Sequence, residues 1–241
     1  MIRKLLAALV LAAVPALWAS GAQANLLVEF SIGGGPFNTI CTAPSGTACA
    51  GSVVAGGFVV TLQTATSNSP GTPTLADLLS AVALISNTNA SGTTASIELR
   101  IGDTGYTAPT TALPNSLFLA SHIGGTVVTG DLLNALSYTS CIDQANGQNA
   151  CPGTLATAAL SPDVTSSGSY SATNSTIFSL LAAPFSMTEQ INLTLSGGST
   201  INYSGSSQLA PVPEPVTMFL GGTGLLGLAY AARRRLFDRQ A

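Results

Sequence analysis

Of the 241 residues only 7% are charged, 46% are hydrophobic and 25 are glycine, and the formal net charge is −3. Between Asn25 and Ala210, eight acids (Glu29, Asp77, Glu98, Asp103, Asp131, Asp143, Asp163 and Glu189) face the single base Arg100, a net of −7. That balance excludes a nucleic-acid partner, which requires Lys and Arg clustered against phosphates, and it leaves no basic patch for anionic lipid.

The chain opens with Arg3 and Lys4, an apolar run from Leu5 to Val14, Pro15, and the small residues Ala22 and Ala24 ahead of Asn25. This order predicts a secretory signal helix over residues 1–24. The cations hold the start in the cytoplasm, the apolar run enters the translocon, and Ala22 and Ala24 fit the narrow pockets of signal peptidase, with cleavage before Asn25. As a permanent anchor the run is short for a bilayer core of about 30 Å.

Residues 25–207 are expected to form one exported domain, a length that allows a sizeable core. Its polarity comes from Ser, Thr, Asn and Gln rather than from charge, and strand signals dominate. Residues 96–101 (SIELRI) and 190–195 (QINLTL) alternate polar and apolar without a fault, as strands with one face on a core and one in water do. Further strands are expected over 26–32, 58–63, 126–129, 135–140, 176–181 and 200–204. The apolar piece 75–84 fits helix or strand equally, because short apolar runs do not separate the two. Turn clusters punctuate the pattern: Gly33-Gly34-Gly35-Pro36, Ser69-Pro70-Gly71-Thr72-Pro73, Asn115-Ser116, Ser166-Ser167-Gly168 and Gly197-Gly198. The last of these, between Leu195 and Ile201, predicts a hairpin. Many short strands with Gly-rich turns define the fold class expected here: mostly β, an antiparallel β-sandwich.

Cys41, Cys49, Cys141 and Cys151 all fall in the exported segment, and an even count in an oxidising compartment implies disulfides. Of the three possible pairings, Cys41 with Cys49 and Cys141 with Cys151 is favoured, since each pair brackets a turn-rich loop. A zinc site needs closer Cys or His spacing than this sequence offers.

No catalytic constellation emerges. His122 is the only histidine, and with Ser and Thr so abundant, a neighbouring hydroxyl says nothing about a triad; it is expected at the surface or at a strand edge. The acids form no evident pair for glycoside hydrolysis. Asp103, Asp131, Asp143 and Asp163 fall in Gly- or Asn-containing stretches that suit calcium, yet no Asp-x-Asp-x-Asp-Gly array is present, so they are expected to be solvated loop acids and no metal is assigned. No phosphate-binding glycine loop precedes a helix, so no cofactor is expected. Tyr106, Tyr138, Tyr170 and Tyr203 are expected to pack on sheet faces, and the only Trp, Trp18, belongs to the signal.

At the other end, a linker over 208–215 contains Val212-Pro213-Glu214-Pro215. It leads into the uncharged stretch 216–232, then Arg233-Arg234-Arg235 in a basic tail over 233–241. As a helix the uncharged stretch is about 25 Å long, enough to cross a membrane once Tyr230 and the arginine stems reach the interface. The positive-inside rule leaves the arginines in the cytoplasm as a stop-transfer signal and the body outside, in agreement with the N-terminal signal. A Val-Pro-Glu-Pro box, a Gly- and Leu-rich span and a terminal arginine cluster, in that order, resemble the PEP-CTERM sorting signal.

The resemblance implies recognition by exosortase, a membrane-embedded transpeptidase, with Pro213, Glu214 and Pro215 as recognition residues and cleavage near them. It also implies a role beside exopolysaccharide in biofilm or floc. Residues 102–107 (GDTGYT) and 184–190 (PFSMTEQ) are similar to stretches in other proteins bearing this tail. The function expected is therefore an exosortase-processed, non-enzymatic structural or adhesion protein of the cell surface or extracellular matrix. The alternatives are a secreted carbohydrate-active hydrolase or binding module, and an unsorted periplasmic protein anchored by its tail.

Overall fold

The computed structural model describes residues 25–109, 116–130, 136–151, 155–157, 159–162, 167–178 and 183–212. The expected signal helix with Ala22 and Ala24, the Pro213-Glu214-Pro215 box, the span, Arg233 to Arg235, and the acids Asp131 and Asp163 lie outside the described residues.

Among the described residues twelve strands follow one another: β1 (Asn25–Ile32), β2 (Asn38–Pro44), β3 (Cys49–Ala55), β4 (Phe58–Ser67), β5 (Ala76–Asn87), β6 (Thr94–Tyr106), β7 (Leu117–Thr129), β8 (Ser137–Asp143), β9 (Leu155–Ala156), β10 (Gly168–Phe178), β11 (Phe185–Ser196) and β12 (Thr200–Pro211). They form two antiparallel six-stranded sheets. The first has the order β2-β1-β6-β11-β8-β9 and the second β10-β7-β12-β5-β4-β3. Alternation along the long central strands sends one row of side chains into a shared core, with Leu26, Val28, Leu99 and Ile191 from the first sheet meeting Val60, Leu78, Ile123 and Ile201 from the second.

The apolar piece at 75–84 is strand, not helix. Ala76, Leu78, Ser80 and Val82 alternate inward along β5, which is paired to β12 on one side and β4 on the other. Hydrogen-bonded ladders on both sides outweigh the helix preference of its Ala and Leu. β2 and β3 carry no strand signal in the sequence, because their short runs mix Cys, Gly, Pro and Thr without a clean period.

Gly197-Gly198 does not form a hairpin. β11 pairs with β6 and β8 in the first sheet, whereas β12 pairs with β5 and β7 in the second, so the turn is an arch that crosses the core. Its geometry is still that of a tight turn: Gly198 takes φ +84°, and the Ser199 N–H donates to the Ser196 carbonyl at 3.0 Å. A hairpin and an arch both accept such a turn; they differ in which neighbours are available to each strand.

Both disulfides have the expected pairing, Cys41–Cys49 and Cys141–Cys151, and no cysteine is free. The first does more than close a loop. Cys41 lies on β2 and Cys49 on β3, the edge strands of the two sheets on one side of the molecule, so this bond clamps one sheet to the other. The second closes the segment from the end of β8 to Cys151.

Candidate functional site

β6 and β11 are neighbours at the centre of the first sheet, and each carries an inward apolar row that ends in an acid. On β6 the row Ile97, Leu99, Ile101 continues to Asp103; on β11, read backwards, Leu195, Leu193, Ile191 continues to Glu189. In the pairing register Glu189 lies opposite Ile101 and Asp103 opposite Met187. Both acids are 0% exposed, so Asp103 is a buried strand residue rather than a solvated loop acid. Asp143, at the end of β8, is buried as well.

Glu189 is embedded in hydroxyls from both sheets. Ser80 of β5 donates to its Oε2 at 2.5 Å, and Ser207 of β12 to its Oε1 at 3.4 Å. The hydroxyls continue away from it. Ser207 lies 2.6 Å from Ser140 Oγ and 3.3 Å from Tyr138 Oη, Ser121 donates to Ser140 at 2.5 Å, and Thr157 Oγ1 lies 2.9 Å from Ser121. Among the described residues no cation enters this chain of contacts. Burial therefore pushes the Glu189 carboxyl up to about 7, with the hydroxyls of Ser80, Tyr138 and Ser207 pulling it back. Space for the acid depends on Gly205 of β12. A Cβ there would lie 2.9 Å from Ser80 Oγ, 3.0 Å from Glu189 Oε2 and 3.0 Å from the Tyr138 ring.

Asp103 has its own set of donors. Ser45 Oγ lies 2.8 Å from both carboxylate oxygens, Ser67 Oγ donates to Oδ2, and the Thr104 N–H donates to Oδ1 at 2.7 Å. Burial still raises its carboxyl above the ordinary range, against the pull of those hydrogen bonds. Because Ser45 belongs to the β2–β3 connection, Asp103 ties that connection to the core.

The loop closed by Cys141–Cys151 docks on β6 from outside. Asp143 turns back on its own loop, accepting the N–H of Ala145 at 3.2 Å and of Gly147 at 2.8 Å. Asn146 accepts the Gly105 N–H at 2.8 Å, Gln148 donates to the Gly102 carbonyl at 2.9 Å, and Asn149 donates to Glu29 at 2.7 Å. A side chain at position 102 would collide with this loop, its Cβ lying 2.2 Å from Asn149 Oδ1 and 2.9 Å from Thr188 Oγ1.

The two stretches singled out in the sequence, 102–107 and 184–190, are thereby explained as one structural unit. They pair across β6 and β11, Tyr106 opposite Phe185, with their rings stacked at 5.5 Å. Tyr106 Oη donates to the Asp77 carbonyl at 2.7 Å. All four expected tyrosines are buried in the core, which removes them as platforms for stacking on sugars.

His122 is half-buried on the outer face of β7, a strand paired on both sides rather than at an edge. Ser171 Oγ is 3.3 Å from its Nε2. It borders an open cleft of about 410 Å³ with Phe118, Thr173, Asn174, Ser206 and Gln208. A second open cleft, about 440 Å³ and bordered by Glu98, Ser137, Asn192 and Thr194, lies on the outer face of the other sheet. Neither cleft is bordered by Glu189 or Asp103. Arg100 is held by Glu98 at 2.7 Å and lies 4.3 Å from the Phe37 ring centroid. Among the described residues no group of three or more His, Cys, Asp or Glu side chains is placed to hold a metal ion.

From the sequence Glu189 is one of the dispersed acids and Asp103 a solvated loop acid in a stretch suited to calcium. The signal that would have found them is parity: each occupies the core-facing phase of a strand whose alternation was already evident.

A disulfide-clamped, two-sheet antiparallel β body built on a hydroxyl-bonded acidic core thus precedes the tail. β12 runs to Pro211, into the segment read from sequence as linker, and the Val212 N–H donates to the Ser116 carbonyl at 2.8 Å. A family model described as the PEP-CTERM protein-sorting motif matches residues 211–235. The search of curated proteins found no match to the chain. The chain carries a PEP-CTERM sorting motif, which implies export, membrane-associated sorting and processing by exosortase.

Proposed function

We propose that this is a non-enzymatic structural or adhesion protein, delivered by exosortase to the cell surface or extracellular matrix and working beside exopolysaccharide. The observation that carries the reading is the position of the sorting motif: it begins at residue 211, where the last strand of the body ends. Cleavage near Pro213-Glu214-Pro215 releases the folded body with all of its strands and both disulfides. Three features support a structural role. Glu189 and Asp103, two of the three described acids whose carboxyls burial raises, are sealed inside the core, the disulfides suit an oxidising exterior, and the surface is rich in uncharged hydroxyls and amides. Pro213, Glu214 and Pro215 are the recognition residues, Arg233, Arg234 and Arg235 stop transfer, and signal peptidase removes residues 1–24.

Intact-mass and peptide mapping of the mature protein from native cells, with and without exosortase, tests this. Loss of the residues beyond the Pro-Glu-Pro box only when the enzyme is present supports the sorting reading. A chain ending at Ala241 in both strains refutes it and leaves a protein held by its tail.

A further inference from the structure

Among the described residues four strands terminate the two sheets: β2 and β9 in the first, β10 and β3 in the second. An edge strand presents unpaired N–H and C=O groups, and proteins blunt such edges with shortness, proline, charge or bulges. Three of the four edges carry such a device. β2 contains Pro44 and faces a register shift at Val28/Glu29. β9 is two residues long. β3 has a register shift between Cys49 and Gly51 and is tied through Cys49 to the other sheet. β10 has none of these. It spans 11 residues, GSYSATNSTIF, without proline or charge, and its pairing with β7 runs from Gly168↔Val127 to Phe178↔Leu117 without a shift. Ser169, Ser171, Thr173 and Ser175 are exposed along it, and Ile177 is 60% exposed.

We propose that β10 is a self-association edge, through which two copies of this chain pair antiparallel about a twofold axis near Thr173 and join their second sheets into one. A second copy is the occupant that the charge distribution fits. β10, β7 and β12, the three strands nearest this edge, contain no Asp, Glu, Lys or Arg, so bringing two identical edges together opposes no like charges. The sequence of β10 is also compatible with its own reversal. On the outer face a twofold axis at Thr173 sets that residue against its symmetry mate and Ser171 against Ser175, cross-strand hydroxyl pairs of a kind that stabilise sheets. Such a contact uses the same patch on both copies and closes at the dimer rather than running on as a fibre. The outer rows consist of small hydroxyl side chains around the axis, so the backbones can approach to the ladder spacing of about 4.8 Å.

The test is sedimentation velocity on the full-length chain in a mild nonionic detergent, over a wide range of concentration, with melting curves to show that each variant is folded. Wild type and Val54→Lys, which alters the β3 edge, are expected to reach the mass of two chains. Thr173→Lys, which places two cations face to face at the axis, is expected to dissociate about tenfold or more readily. A monomeric wild type, a Thr173→Lys dimer as tight as wild type, or equal weakening by Val54→Lys overturns the proposal. The same chain carrying Thr173→Cys gives an independent measurement if the lysine variant fails to fold. Mild oxidation is expected to link it into a dimer and to leave Val54→Cys unlinked; the reverse pattern, or no linkage, also overturns the proposal.

Discussion

Replacing Glu189 by Gln removes an ionisable group that is fully enclosed and has no cationic partner among the described residues. The folded carboxyl titrates at about 7 against 4.5 when unperturbed, so between those values the native state holds a proton that the unfolded chain has released. An acid whose folded value is raised contributes most to stability below the unfolded value, and that contribution is lost as pH rises through the folded one. The difference corresponds to about 3 kcal/mol between pH 4.5 and 8, or roughly 6–12 °C in melting temperature for a domain of this size. Gln preserves the volume and one accepting oxygen, and the Ser80 and Ser207 hydroxyls can rotate to accept from its amide. Thermal melts of wild type and Glu189→Gln across this pH range provide the assay. Wild type should lose stability with rising pH, and the variant should be distinctly flatter, keeping only the smaller slope in the same direction that the raised carboxyls of Asp103 and Asp77 supply. A wild-type melting temperature independent of pH, or a variant as steep as wild type, would refute the assignment of Glu189 as a buried, uncompensated acid.

Gly205→Ala forces a methyl group onto Ser80 Oγ, Glu189 Oε2 and the Tyr138 ring. A loss of about 1–3 kcal/mol is expected from overpacking, read by urea denaturation at pH 5, and a variant as stable as wild type would show that the core has room to spare there. Converting both members of either disulfide to Ser is expected to cost about 2–3 kcal/mol from loop closure alone. Because Cys41–Cys49 also holds the two sheets together, its loss should in addition raise hydrogen exchange along β2 and β3, whereas loss of Cys141–Cys151 should raise it in the loop from Gln144 to Ala150.

How much of this was legible beforehand differs from element to element. The alternations at 96–101 and 190–195 located the two central strands, because a period of two is a local property of extended backbone. Extending the same phase to Asp103 and Glu189 would have marked both as core residues, yet nothing local says which hydroxyls receive them. Ser80 is 109 residues from Glu189 in the chain, and Ser45 is 58 from Asp103. The cysteine pairing followed from turn-rich spacing, whereas its joining of the two sheets depended on β2 and β3 leaving for different partners. The arch at Gly197-Gly198 makes the same point from the other side: the glycines marked a turn correctly, and the strands it connects were claimed by β6 and β8 on one side and by β5 and β7 on the other.

By itself the sequence determined the mostly-β character, the cysteine pairing and the sorting motif, since periodicity, composition and linear order are carried by neighbouring residues. Only the tertiary structure decided which sheet each strand joins, which acids are sealed from water and which of the described strands end each sheet. Those are outcomes of competition among segments far apart in the chain, settled by where apolar rows and hydrogen-bonding partners can be satisfied together.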